Sequence, residues 1–283
     1  MIRILTDSAS DILPAEAATL GVDVIPLNVT LEDGTVIRDG VDLTPSEYYA
    51  HMAACKKLPT TSQPSPELFE KFYAEAAAAG DEVVGIFLSH ELSGTYQCAK
   101  LAADLANVDN VLFVDSTNVC LGEGLLVRLA AHLRDEGKSA VQIAATLEHA
   151  KEHLHLVAAI DDLKYLRRGG RISAAAQVAG SLLKIKPILQ SDPEGHIIQH
   201  SKVRGQLKAM ETLAELYKEY AVDGTRTVGI AHADCPDGAL RLQAKLRDAG
   251  QTGEILSVCY EPVTGGHVGP GTVALFFFGE VWR

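Results

Sequence analysis

From residue 2 to residue 151, short apolar runs alternate with stretches of helical spacing, and this alternation constrains the fold more than any other feature. Strands are expected at 2–5, 22–29, 83–88 and 111–114. Helices are expected at 14–20, 45–55, 67–79, 96–105, 119–136 and 139–151, several of them closed by glycine. Parallel strands need a long crossover, usually a helix. The pattern therefore predicts a three-layer α/β domain on a parallel sheet over residues 1–152. Near residue 153 the pattern changes. Strands at 153–160, 184–189 and 196–203 surround a turn at Asp192-Pro193-Glu194-Gly195, which reads as a hairpin. Helices at 204–220 and 236–249 and strands at 225–231, 254–260 and 272–278 follow. Mixed hairpin and crossover links predict a C-terminal mixed-sheet α/β domain over residues 153–283. An Ala-rich helix is expected at 173–183.

The 283 residues suffice for two domains with real cores. A net charge of −12 argues against general nucleic-acid or anionic-membrane binding, leaving at most transient membrane contact. No charged-then-apolar leader opens the chain, and no apolar run reaches the length of a membrane span. The five cysteines are scattered and read as reduced, mostly packing thiols. A cytoplasmic protein is the expectation.

Three polar segments interrupt this framework. Leu92-Ser93-Gly94-Thr95 joins the end of a strand to the start of a helix, where unpaired amides carry partial positive charge. Ser93, Gly94 and Thr95 can offer hydroxyls and N–H groups to an anion there. The structural alternative is an ordinary helix cap. The hydroxyl-rich stretch Leu58–Pro66 precedes a helix in the same way, with Ser65 as its cap. Thr264–Thr272 sets His267 among four glycines and a proline, which reads as a tight loop. Thr6-Asp7-Ser8 ends the first strand and suits either a ligand edge or a turn.

Catalytic readings are thinner. Ser93 and His267 would serve a serine esterase or thioesterase, but no Gly-x-Ser-x-Gly elbow surrounds Ser93. Phosphate-loop and dinucleotide fingerprints are missing. His153 and His155 share a strand face without a nearby third ligand, and there is no Cys/His cluster of metal-binding spacing, so no metal is expected. Neutral hydroxyls, helix amides and one imidazole suit holding an anion more than breaking a bond. Two helix N-termini carrying hydroxyls would neutralise a carboxylate without a buried Lys or Arg.

Thr6-Asp7-Ser8, Thr61-Ser62-Gln63-Pro64-Ser65, Leu92-Ser93-Gly94-Thr95-Tyr96, Gly169-Gly170-Arg171-Ile172, Lys202-Val203-Arg204 and His267-Val268-Gly269-Pro270-Gly271-Thr272 follow one another in an order that resembles the DegV family of bacterial fatty-acid-binding proteins. The match spans essentially the whole chain. His90 stands where the family pattern has a small residue. The resemblance implies a long-chain fatty acid held between two α/β domains as ligand, with no cofactor. It implies that Thr61 and Ser93 hold the carboxylate, with Ser62, Gly94, Thr95 and His267 around them. It further implies a non-catalytic role: the lipid is presented to a separate ATP-binding fatty acid kinase subunit, which forms an acyl phosphate for phospholipid synthesis. Arg204 is the implied partner contact. Helices 121–133 and 173–183 are the expected tunnel walls.

Overall fold

The computed structural model describes residues 1–172 and 185–281. With strands and helices numbered in chain order, the first sheet is fully parallel. It contains β1 (Ile2–Asp7), β2 (Val22–Ile25), β6 (Glu82–Phe87) and β7 (Val111–Asp115), in the order β2-β1-β6-β7. Helix α1 (Pro14–Leu20) crosses from β1 to β2, and α4 (Thr95–Ala106) from β6 to β7 on the other side. The chain thus leaves β1 and β6 in opposite directions. The crevice at their carboxyl ends is where an open α/β sheet takes ligands.

A small antiparallel sheet of β3 (Asn28–Thr30), β4 (Val36–Arg38) and β5 (Thr60–Ser62), ordered β4-β3-β5, lies apart from it. Here the structure corrects the expected single strand at 22–29. Pro26 has no N–H to give a ladder, Leu27 N donates to Ser8 Oγ at 3.0 Å, and the chain turns away into β3. The stretch at 58–66, expected as a loop, contributes β5. Between them α2 (Pro45–Ala54) starts with a capping box of Thr44 and Glu47. Helix α3 (Pro66–Ala79) follows β5, and Ser65 sits at its N-cap without the expected side-chain bond.

The second sheet has the order β10-β9-β8-β13-β11-β12. Its strands are β8 (Leu154–Ala159), β9 (Ile185–Ser191), β10 (Ile197–Arg204), β11 (Val228–His232), β12 (Ile255–Cys259) and β13 (Val273–Phe278). Among the described residues of this sheet, only β11 and β12 pair in parallel, through the crossover helix α9 (Pro236–Asp248). The other pairs are antiparallel. The α/β architecture expected from the residues is therefore present, parallel first and mixed second. Helix α7 (Lys164–Gly169) follows β8, α8 (Gln206–Tyr220) follows β10, and α10 (Pro262–Val268) lies between β12 and β13. The expected loop at 264–272 is thus helical up to Val268. The Ala-rich helix expected at 173–183 lies outside the described residues.

Helix α5 (Leu121–Asp135) lies between the two sheets, touching β1 and β6 on one side and β8, β11 and β13 on the other. This explains its apolar surround: Leu121, Leu125, Leu126, Val127, Ala130 and Ala131 are all buried. Helix α6 (Ala140–Lys151) packs beside it. One core runs from Ile4 and Val84 through α5 to Leu156 and Phe276. Separate cores back the outer faces, under α3 and α4 and under α8 and α9. Strand β8 divides by alternation: Leu154, Leu156 and Ala158 face the central core, whereas Val157 and Ala159 face the outer one. The expected boundary at residue 153 falls between α6 and β8, and the core runs across it. No helix among the described residues is long and apolar enough to cross a membrane.

Five carboxyl groups are buried near the crevice. Asp7 accepts from Leu88 N and Ala9 N, and Asp39 from Ser8 Oγ and Val263 N. Glu123 accepts from Thr6 Oγ1 at 2.8 Å. Burial pushes Asp7 and Glu261 up to about 7, Asp39 to about 6, and Asp11 and Glu123 well above the usual range. The folded chain then binds protons that the unfolded chain has released, so stability falls as pH rises from about 4 to about 7. The melting temperature should be several degrees higher at pH 5.5 than at pH 8, and Asp39→Asn should flatten the difference. Calorimetry at the two pH values checks this, and equal melting temperatures would contradict the buried-acid account.

Candidate functional site

The turn after β6 stands on β1. Leu88 N donates to Asp7 Oδ2 at 3.1 Å, and Leu92 N and Ser93 N both donate to Ser89 O. Gly94 takes the N-cap position of α4 with no side-chain cap. Ser93 Oγ accepts from Thr95 N at 3.3 Å and shares a 2.9 Å hydrogen bond with Thr95 Oγ1. The Ser93 hydroxyl thus sits at the positive end of α4, outside the usual cap position.

Across from it, Thr61 on β5 lies 2.8 Å, Oγ1 to Nε2, from His267 in the last turn of α10. The expected pair of helix N-termini is therefore corrected: Thr61 is brought in by a strand, only Ser93 by a helix start. Gly169 makes room for the imidazole, since a Cβ there would lie 2.2 Å from His267 Nδ1. Gln63 reaches over Gly94, where a Cβ would meet Gln63 Oε1 at 2.1 Å, and so ties the Thr61 segment to the Ser93 turn. Arg171 Nε donates to Leu92 O at 3.0 Å, and its Nη1 to Gly169 O. Burial first, and then the Arg171 guanidinium, hold His267 down to about 4. It is a neutral imidazole at pH 7, with one nitrogen to donate and one to accept.

These groups line one cavity to which both halves of the chain contribute. Thr61, Ser62, Gln63, Ser93, Arg171 and His267 supply its polar lining. The rest is largely aliphatic. Leu27, Leu88 and Leu92 come from the first half of the chain, and Leu156, Ile160, Leu189 and Ile197 from the second. A second chamber adjoins it, sharing Thr61, Arg171 and His267 and adding Leu58, Tyr165 and Arg168.

The structure thus brings Thr61, Ser62, Ser93 and His267 to one cavity. Gly94 and Thr95 are not on its wall; Thr95 is buried beneath and steadies Ser93. Arg204 is exposed at the end of β10, away from the cavity. The expected tunnel wall at 121–133 is corrected too. Those residues are packed between the sheets, and Val119 and Cys120 just before them line the space. The second expected wall, 173–183, lies outside the described residues. Sequence reasoning missed Arg171 and Gln63 as site residues. The double glycine before Arg171 was a signal for a close approach, but not for its direction. His155 is a core residue stacked on Phe277 at 4.9 Å, and His153 Nδ1 meets Gly279 O at 3.0 Å.

Comparison with known proteins gives a single picture. The model of the uncharacterised DegV protein family matches residues 1–280. A DegV domain-containing protein of Deinococcus radiodurans is 37% identical over 283 residues, 97% of each chain. Among solved structures, a DegV family protein from Thermus thermophilus, described for its fatty acid binding, is 34% identical with a TM-score of 0.91. The alignment covers 98% of this chain and 99% of that one. DegV of Bacillus subtilis, a fatty acid binding protein, is 31% identical with a TM-score of 0.87, covering 99% of each chain.

The electrostatics can be read directly. Two histidines, His155 and His267, are held near 4. In Arg171→Gln only the one absent from His267→Asn should titrate at higher pH, because a neighbouring cation has gone. Histidine NMR titration measures this; an unmoved His267 would remove Arg171 from its surroundings.

Proposed function

This chain belongs to the DegV family, and from that premise we propose that it binds a long-chain fatty acid in the cavity between its two sheets. The carboxylate lies among Thr61, Ser93 and His267, and the tail among the aliphatic residues of both halves. The observation that carries the reading is that Thr61, Ser93, Arg171 and His267 line one largely apolar cavity. Thr61 and Ser93 donate hydroxyl hydrogens to the carboxylate, a neutral His267 donates its Nε2–H to the Thr61 oxygen or to the carboxylate, and Arg171 balances the charge. Each charge-assisted hydrogen bond contributes ~1.5–3 kcal/mol. A tail of about 14 methylenes at ~0.8 kcal/mol each contributes on the order of 11 kcal/mol before ordering costs. Affinity therefore comes from the apolar wall, and orientation from the polar groups.

The adjoining chamber, which shares Thr61 and His267 and adds Arg168, supports a reading in which the carboxylate is presented at the surface. On this reading the chain has no chemistry of its own. A separate ATP-dependent kinase subunit phosphorylates the presented carboxylate, and Arg204 on the exposed end of β10 belongs to the surface it meets. An esterase would need Ser93 activated by His267. His267 Nε2 instead meets the Thr61 hydroxyl, and Ser93 Oγ meets Thr95.

Mass spectrometry of an organic extract of the purified protein should yield fatty acid in near-stoichiometric amount; an empty extract and no uptake of added lipid would sink the reading. Ser93→Ala should weaken fatty acid binding by roughly 10- to 100-fold, the worth of one charge-assisted bond, with an unchanged melting temperature. Arg204→Ala should leave lipid affinity unchanged and slow acyl-phosphate formation with a partner kinase at limiting protein. Turnover of a chromogenic ester that disappears in Ser93→Ala would favour the esterase instead.

A further inference from the structure

The cavity wall holds polar groups that the head-group site does not use. Cys120, Tyr260 and Thr264 line the same space as Thr61 and Ser93, and all three are buried. Thr264 precedes His267 by three residues on α10, so the two share a helix face about 4.5 Å apart along the axis. The Thr264 hydroxyl faces the Cys120 thiol. Burial first, and then Cys120, push the Tyr260 hydroxyl up, and burial does the same to the thiol, so both stay protonated. Two hydroxyls and one neutral S–H thus stand together on a wall that is otherwise largely aliphatic.

Tyr260 leaves a bonding capacity unused. It is 2% exposed. Its backbone is satisfied: N donates to His232 O at 2.8 Å, and O accepts from the Tyr49 hydroxyl at 3.3 Å. Its own hydroxyl, which can donate and accept, makes no hydrogen bond among the described residues. Tyr48 and Tyr73 also keep unpartnered hydroxyls, but neither borders this cavity. Tyr260 does, so a molecule inside can supply the partner. Cys120 adds a backbone sign: at φ +60° and ψ −142° it holds a conformation that suits glycine. Strain of this kind persists where the surroundings over-determine it, and it gathers at ligand sites.

A plain saturated chain cannot use these groups. Methylenes neither donate nor accept, and one seated against the Tyr260 hydroxyl leaves it unpaired and away from water. A hydroxyl on the chain reverses this, because it can accept from one of the three groups and donate to another. Resting on the fatty-acid reading above, we infer that the cavity selects acyl chains bearing a hydroxyl group, and that Tyr260 reads this group with Thr264 and Cys120 beside it.

The test is calorimetric titration of the delipidated full-length protein with octadecanoate and with its 2-, 3-, 10- and 12-hydroxy derivatives. At least one hydroxylated chain should bind roughly 3- to 10-fold more tightly than octadecanoate, the worth of one neutral hydrogen bond. Tyr260→Phe should abolish that advantage and, by removing an unpaired hydroxyl, bind octadecanoate more tightly than the parent does. Thr264→Val should lower the same ratio, and it serves as the second variant should Tyr260→Phe fold poorly. Tyr73→Phe, which removes an unpartnered hydroxyl away from the cavity, should keep the parent's ratio. Octadecanoate that binds with no hydroxylated chain preferred overturns this inference alone, and so does a preference that survives Tyr260→Phe. A protein that takes up none of the series overturns the fatty-acid reading with it.

Discussion

Everything in this molecule hangs on α5 being shared. A helix with one apolar stripe serves one sheet; α5 is buried on both sides and serves two. Each fully buried leucine or valine on it is worth ~1.5–3 kcal/mol, and this burial holds the two halves of the chain together. The consequence is geometric. With α5 fixed between them, the carboxyl ends of β1 and β6 face β8, β9 and α10, and the space left over is the cavity.

The second constraint is electrostatic. Asp39 Oδ1 accepts from Val263 N at 2.8 Å, while its other oxygen takes the Ser8 hydroxyl. Glu261 occupies the N-cap of the same helix. A buried acid at a helix start is held by an unpaired amide there. Through Ser8, Asp39 binds α10, from the second half, to the Thr6-Asp7-Ser8 turn of the first. That attachment sets where His267 stands. The polar segment after β1, which read equally as a ligand edge or a turn, is used to anchor the helix that bears the imidazole.

Around the head of the cavity the same low-dielectric surroundings act oppositely on acids and bases. They push the Asp39 and Glu261 carboxyls up and hold the His267 imidazole down. A neutral imidazole beside a threonine hydroxyl and a guanidinium makes a site that attracts an anion without a buried salt bridge at its centre. The guanidinium is tied back to Leu92 O and Gly169 O, so it is oriented before any ligand arrives.

Period 2 and period 3.6 are local properties, and they gave most elements of both sheets and their helices before any coordinates. The architecture, parallel first and mixed second, followed because crossover and hairpin links differ in length and turn chemistry. Locality also explains what was misread. Pro26 splits one apolar run into strands of different sheets, and β5 is too short and polar to carry an alternating pattern. The glycine-rich segment around His267 is helical, and the start of that helix is held by Asp39, an acid distant in sequence. Thr61 and His267 stand 206 residues apart, and nothing in either segment states that they touch. Residue types and their order determined which groups were available and which family pattern they follow. Only the shared burial of α5, a long-range packing event, decided that a strand hydroxyl, a helix-start hydroxyl, an imidazole and Arg171 would meet at the end of one apolar cavity.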